Sequence, residues 1–232
     1  NAKEVNRHNT NEIISNDEQI EVYTLFTFPG RNKKYSDFIW HWYHFDGIDY
    51  DEKTHRNTIF LFDHKSWDQE VDDENGNYDY LMGTDLDFSN EETVQEVTSW
   101  LHWYLDITHI KGLRLDAVKH IPAYFYQELL PKLRQDYQEE LFTVGEYWHG
   151  DVYHLENYLK EVNFEMSLFD VPLIIFMMLV IVKTMICLIF LIKLWFLCTH
   201  QMQSPLWITM IQNQVNLLLL IYPMNLKDKL IV

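Results

Sequence analysis

The sequence predicts an α/β fold in which a parallel sheet or barrel follows a β-rich, aromatic segment. Two observations carry this. Between Asn90 and Trp148, helix, strand, helix and strand signals succeed one another, the strands only four to six residues long. That order is the grammar of a parallel α/β sheet or barrel. Before them, Val22–Asp87 interleaves aromatics with Asp, Asn and Gly clusters, the pattern of short strands joined by turns.

Each element follows in order. Asn1–Glu21 is polar and has no apolar signal-like core. FIWHWYHF (Phe38–Phe45) alternates and predicts a strand. Asn90 predicts a helix cap, Glu91 and Glu92 suit the positive end of the helix dipole, and Val94, Val97, Leu101, Tyr104 and Leu105 recur at helical spacing. Gly112 breaks that helix before the short strand LRLDAV (Leu113–Val118). A second helix is expected with Pro122 in its first turn and Tyr126, Leu129, Leu130 and Leu133 on one side. Pro131 lies inside it and is expected to kink or divide it. The strand LFTVGEYW (Leu141–Trp148) completes the unit.

Charge divides the chain sharply. The formal charge is −17, but Val171–Val232 holds one acid (Asp228), four lysines, no arginine and no glycine. Residues 1–170 therefore carry 34 acids against 14 bases, a net −20 against +3 for the remainder. A segment so acidic is a poor partner for nucleic-acid phosphates. Both cysteines (Cys187, Cys198) lie in the tail, so no disulfide framework exists in the first part. Aromatics beside many acids on short strands fit either an ordinary core or a carbohydrate-facing segment.

Asp116 ends one short strand and Glu146 the next, thirty positions later with a helix between. A crossover connection brings the C-terminal ends of neighbouring parallel strands to one face, where barrel enzymes keep their active sites. Two carboxyls there could lie roughly 5–5.5 Å apart, the separation for retaining glycoside hydrolysis. Arg114 would point to the same side as Asp116 and hold it ionised. Val144, Tyr147 and Trp148 around Glu146 would favour a raised pKa, suited to a general acid. Spacing alone also permits a strand-end Asp and Glu that merely cap the following helices.

The residues themselves go further. GLRLDAVKHI (Gly112–Ile121) and FTVGEYW (Phe142–Trp148) resemble two sequence blocks of the α-amylase family, glycoside hydrolase family 13. FPGRNKKYSDFIWHWYHFDG together with DENGNYDYLMGTDLDF resembles domain B of its bacterial liquefying and cytoplasmic members, and the likeness runs to about Pro172. It implies a partial (β/α)8 TIM barrel with an inserted β-rich domain B: domain B over 1–88, barrel strands four and five with their helices over 89–172, and an apolar tail over 173–232. By position it implies Asp116 as nucleophile, Glu146 as acid/base and Arg114 as the nucleophile's partner. Lys119 and His120 fall on sugar-subsite positions, and Tyr147 and Trp148 join them as substrate-binding candidates.

The resemblance also carries a metal cluster onto Asp46, Asp68, Asp79, Asp85 and Asp87, with His120 contributing its carbonyl oxygen. Hard oxygen ligands in such density suit Ca²⁺, with Na⁺ between two calcium ions as the family variant. A solvated acidic face is the plainer reading of scattered Asp, but Trp67, Tyr78, Tyr80 and Leu81 intersperse these. Ser89 departs from the pattern, standing where many relatives have a further Asp. The implied substrates are starch, glycogen or maltooligosaccharide and the full-length enzyme is expected to be a monomer; relatives are secreted or cytoplasmic, so location stays open.

Two family blocks are missing: an Asp-Val-Val-hydrophobic-Asn-His strand, expected upstream of Asn1, and Val-Asp-Asn-His-Asp, expected after residue 172. Leu173–Cys198 is instead almost wholly apolar, broken by Lys183 and Lys193, and long enough to span a bilayer. The genetic code offers a check, because Trp and Met have one codon each. Read one base earlier, Trp207 followed by Ile208 forces Asp, and Met210 followed by Ile211 forces Asp again. The intervening codons permit Asn and His. Met202 and Gln203 force Ala, so the shifted reading is compatible with Ala-Val-Thr-Phe-Val-Asp-Asn-His-Asp. Met177–Val180 permits Tyr-Asp-Ala-Ser, and Lys183–Ile186 permits Asn-Tyr-Asp-Met. The expectation is a reading-frame slip near Pro172–Ile174, with no bilayer as partner and an inactive chain. A non-catalytic calcium- and glycan-binding remnant and a membrane-anchored protein are the alternatives.

Overall fold

The computed structural model describes residues 1–34 and 36–199, and the chain divides into two units after Ile175. It is a mixture of α and β structure with one antiparallel and one parallel sheet.

The antiparallel sheet is built from β1 (Ala2–Asn6), β2 (Asn9–Glu18), β3 (Phe45–Asp51), β4 (Arg56–Phe62) and β5 (Thr84–Leu86), in the order β2-β1-β4-β3-β5. Strand β4 explains its packing. Phe60 and Phe62 point to one face with Ala2, Phe45 and Ile48, while Ile59 and Leu61 point to the other with Val5, Trp67 and Tyr80. Period-two alternation thus buries both faces. On β3, Gly47 is required by close approach: a Cβ there would lie 2.5 Å from the Phe60 carbonyl oxygen and 2.7 Å from the Trp67 ring.

One expectation fails in this half, and one element gave no signal of its own. The polar opening segment forms the β1–β2 hairpin, whose second strand exposes most of its side chains and so shows no apolar alternation. FIWHWYHF is no strand. Trp40 makes one isolated bridge to Phe26, Trp42–His44 is a single 3-10 turn, and β3 begins only at Phe45. The His41 N–H donates to His44 Nδ1 at 2.9 Å and closes that turn. Phe38 and Trp40 then pack edge to face at 5.0 Å, forming an aromatic knot in place of a ladder.

Helix α1 (Glu91–Thr108) starts at Asn90, whose side chain accepts from Glu92 N at 2.9 Å and Thr93 N at 3.3 Å. Leu101 and Leu105 are buried and Val94 and Val97 pack beside them, but Tyr104 faces solvent. Because the Asn90 side chain satisfies two orphan N–H groups, Asn90→Ala is expected to cost about 1 kcal/mol while Asn90→Asp costs little. Urea denaturation followed by circular dichroism checks it, and equal midpoints for wild type and alanine variant would remove the cap's role.

Three parallel strands follow, β6 (Gly112–Leu115), β7 (Phe142–Gly145) and β8 (Ser167–Leu168), paired in that order. Helices α2 (Ala123–Tyr137) and α3 (Val152–Glu161) form the crossovers. Pro122 is the N-cap of α2 rather than a first-turn residue, and α2 runs unbroken through Pro131. Burial of Leu129, Leu130 and Leu133 on both sides of the proline outweighs the lost backbone bond.

Helix α4 is Val171–Thr199. Its Val171–Lys193 portion is long and apolar enough to cross a membrane by length and composition. The tail positions from 200 on, including the Met202–Ile211 codons, lie outside the described residues.

Candidate active site and metal cluster

Strand register sets the site. Arg114 lies opposite Val144 and Leu115 opposite Gly145, so Asp116 and Glu146 leave adjacent strands at one end. Backbone bonds continue past the strands: Glu146 N–H donates to Leu115 O at 2.8 Å, and Val118 N–H to Glu146 O at 3.2 Å. Between them Ala117 takes a left-handed conformation, φ 48°, a conformation that costs a non-glycine residue energy and turns the chain sharply.

Arg114 joins the two carboxylates. Its Nη1 is 2.9 Å from Asp116 Oδ1 and its Nη2 donates to Glu146 Oε2, while the guanidinium carbon lies 6.0 Å from the Phe169 ring centroid. The neighbouring Asp116 carboxyl is the largest cause that raises the Glu146 pKa; partial burial adds to that, and Arg114 opposes it. One guanidinium thus contacts both carboxyls.

The neighbouring candidates divide. Trp148 is exposed, whereas Tyr147 is buried, lies 4.7 Å from the Tyr158 ring centroid at a 35° tilt and donates its hydroxyl to Asp72. Lys119 is buried too, its Nζ on Glu74 and 4.8 Å from the Tyr78 ring centroid. His120 Nδ1 is 2.6 Å from the Tyr78 carbonyl oxygen, and burial lowers its pKa. Asp72 and Glu74 were not singled out from the sequence, and Tyr78 entered only as an aromatic among the aspartates. Their role depends on long-range contact with Lys119 and Tyr147.

Beyond Tyr78 the acidic cluster begins. Asp46 lies on β3, Asp85 on β5, Asp87 just after it, and Asp68 and Asp79 on the loop between β4 and β5. Asp46, Asp68 and Asp79 are buried, and one carboxylate oxygen of each falls within 4.8 Å of the others. The loop is tied to itself: Asp68 N–H donates to Asp79 Oδ2 at 2.7 Å, and Phe88 N–H to Asp68 Oδ2 at 2.8 Å. Lys65, also unforeseen, contacts Asp87 and lies 4.0 Å from Asp46. Ser89 donates through its N–H and hydroxyl to Asp87 Oδ1.

Burial, then neighbouring negative charge, pushes Asp46 up to about 9. Burial is also the leading cause that takes Asp79 to about 7, Asp68 to about 6 and Asp85 well above the usual carboxylate range. Asp46 Oδ2 and Asp85 Oδ2 are buried without a hydrogen-bond partner. Converging, desolvated, partnerless oxygens fit a hard cation, since a lone lysine cannot neutralise them all.

No family model matches the chain. The α-amylase of Bacillus licheniformis is 48% identical to it over 172 residues, 74% of this chain and 34% of that protein. The α-amylase of Geobacillus stearothermophilus is 51% identical over 174 residues, 74% of this chain and 32% of that protein. The cytoplasmic α-amylase of Escherichia coli is 41% identical over 179 residues, 74% of this chain and 36% of that protein. The chain thus spans about a third of the length of the curated relatives it matches. At 41–51% identity over 74% of its residues, the chain is a homologue of part of the α-amylases.

Proposed function

We propose that residues 1–172 are the part of an α-amylase that holds two of its catalytic carboxylates, and that the whole enzyme cleaves internal α-1,4-glucosidic bonds of starch or glycogen with retention. The observation that carries this reading is Arg114 bridging Asp116 and Glu146 at the ends of two adjacent parallel strands. In this reading residues 1–88 are domain B, and residues 89–172 supply strands four and five of a (β/α)8 barrel.

The chemistry follows from two unlike carboxyls. An Asp116 oxygen attacks the anomeric carbon as the glycosidic C–O bond breaks, and Glu146 gives its proton to the leaving oxygen. The raised pKa of Glu146 favours its protonated form, as a general acid requires. Glu146, now ionised, takes a proton from water, whose oxygen displaces Asp116 and restores the original anomeric configuration. Arg114 orients Asp116 throughout, and exposed Trp148 offers an aromatic face to a sugar. Asp46, Asp68, Asp79, Asp85 and Asp87, with the His120 carbonyl, would hold Ca²⁺, which neutralises the cluster and fixes the loop leading to Asp72. Proton NMR of the first product released from maltopentaose tests retention: an α-anomer is expected, and a β-anomer would sink the assignment.

Residues 173–232 are, in the same proposal, translated out of frame. The forced aspartates at Trp207–Ile208, Met210–Ile211 and Met177–Met178 support it, as does the extent of the likeness to the relatives, 74% of the chain. Lacking the Val-Asp-Asn-His-Asp block, the 232-residue chain is expected to release no measurable reducing sugar from soluble starch. Resequencing the region decides the frame: an intact, reproducible frame without a nearby compensating base change overturns it.

A further inference from the structure

A cavity of about 520 Å³ lies between the Asp37–Tyr43 segment and the first two turns of α1. Its size is that of small-molecule sites. It shares no residue with Arg114, Asp116 and Glu146. Its two walls differ chemically. One is aromatic and apolar: Phe38, Ile39 and the rings of His41 and Tyr43, which stack 5.2 Å apart and 11° from parallel. The other is a row of polar side chains on a single helix face, Glu92, Gln95, Glu96 and Ser99, at the three- and four-residue spacing that brings side chains together.

Both carboxylates of the helical wall are held from below. His44 is buried and accepts the His41 N–H on Nδ1, which leaves Nε2 to donate to Glu92 Oε2 at 3.0 Å. Ser36 Oγ donates to Glu96 Oε1 at 2.9 Å. Each contact uses one oxygen of its carboxylate, so the other is oriented without being consumed. This is preorganisation of acceptors opposite a flat aromatic surface.

The ligand chemistry follows. Asp37, Glu92 and Glu96 line the cavity and, among the described residues, no Lys or Arg does, which disfavours anions. A pyranose presents apolar C–H faces and a rim of hydroxyl donors, matching an aromatic wall and an acceptor wall together. We propose that this cavity is an accessory binding site for an α-glucan chain, a maltooligosaccharide bound without being cleaved. The α-glucan identity rests on the amylase reading above, whereas the preference for a neutral polyol rests on the walls.

Isothermal titration calorimetry of the full chain with maltohexaose tests this, in a polyoxyethylene detergent that carries no sugar headgroup. Binding is expected in wild type, and it should persist in Trp148→Ala and Asp116→Asn. Tyr43→Ala, which removes an exposed ring, should weaken it about tenfold, and Tyr43→Phe should retain most of it. Glu92→Gln and Glu96→Gln should weaken it with unchanged circular dichroism. The affinity should barely respond to salt up to roughly 0.5 M. Absence of maltohexaose binding in wild type overturns the site. Binding lost in Trp148→Ala but intact in Tyr43→Ala also overturns it while leaving the amylase reading standing. Salt-sensitive, Tyr43-dependent binding of spermidine without maltohexaose binding overturns it in favour of an organic-cation pocket.

Discussion

Ca²⁺ in hundredfold excess over its dissociation constant is expected to stabilise the chain at pH 8 by about 2.7 kcal/mol. For a chain of this size that is a rise of roughly 5–10 °C in the thermal midpoint. The reason is the cost of the acidic cluster without a cation. Asp46, Asp79 and Asp68 are raised to about 9, 7 and 6 from an ordinary 3.8. A group whose folded pKa exceeds its unfolded pKa contributes stability that is fully present below the unfolded pKa. That contribution is lost as pH rises through the folded pKa. The metal-free chain should therefore weaken between about pH 4 and pH 9. Ca²⁺ favours the ionised carboxylates, so its stabilising effect should grow across the same window.

Asp46→Asn separates this account from a general salt effect. Asparagine mimics the protonated carboxyl in the folded chain, while the unfolded chain no longer gains from ionising that residue. At pH 8 the metal-free variant should melt above wild type, yet its response to Ca²⁺ should largely disappear. Tryptophan fluorescence melts with EDTA and with Ca²⁺, at pH 5 and pH 8, contain the whole comparison. A Ca²⁺ response that Asp46→Asn leaves intact, or one that shrinks as pH rises, would contradict the cluster as a cation site.

What the sequence revealed depended on whether a signal was local. The α1 start was legible because Asn90 caps within its own first turn and Leu101 and Leu105 repeat at helical spacing. Strands β6 and β7 were legible from short apolar runs between helices, although each is shorter than expected. Phe38–Phe45 was misread because alternation describes a pleated surface only if a partner strand exists. Here the His41–His44 bond and the Phe38–Trp40 contact take its place. Hairpin β1–β2 was missed because one polar face meets solvent, leaving little hydrophobic pattern to read. At the site, Asp116 and Glu146 could be placed on adjacent strand ends from spacing. Arg114 contacting both, and Lys65 beside Asp46 and Asp87, could not, because those contacts are set by three-dimensional packing.

An enzyme expressed from the gene in the shifted frame beyond Pro172, with the upstream family block present, is expected to hydrolyse starch. In it, Glu146→Gln should lower kcat about 100- to 10,000-fold, the range for removing a general acid–base. Asp116→Asn should reduce it at least as far, because no covalent intermediate can form without the nucleophile. Rates alone do not distinguish the two roles, since either loss stops turnover. Azide does. In Asp116→Ala the small anion can enter the space of the missing carboxylate and attack the anomeric carbon directly, a single displacement that yields an inverted, β-configured glycosyl azide. In Glu146→Ala the glycosyl–Asp116 ester still forms from a substrate with a good leaving group. Azide then opens that ester, and two displacements give an α-configured glycosyl azide. Proton NMR of the two products reads the configuration. The same anomer from both variants, or the reverse assignment, would show that the carboxylates joined by Arg114 do not divide the work as nucleophile and acid/base.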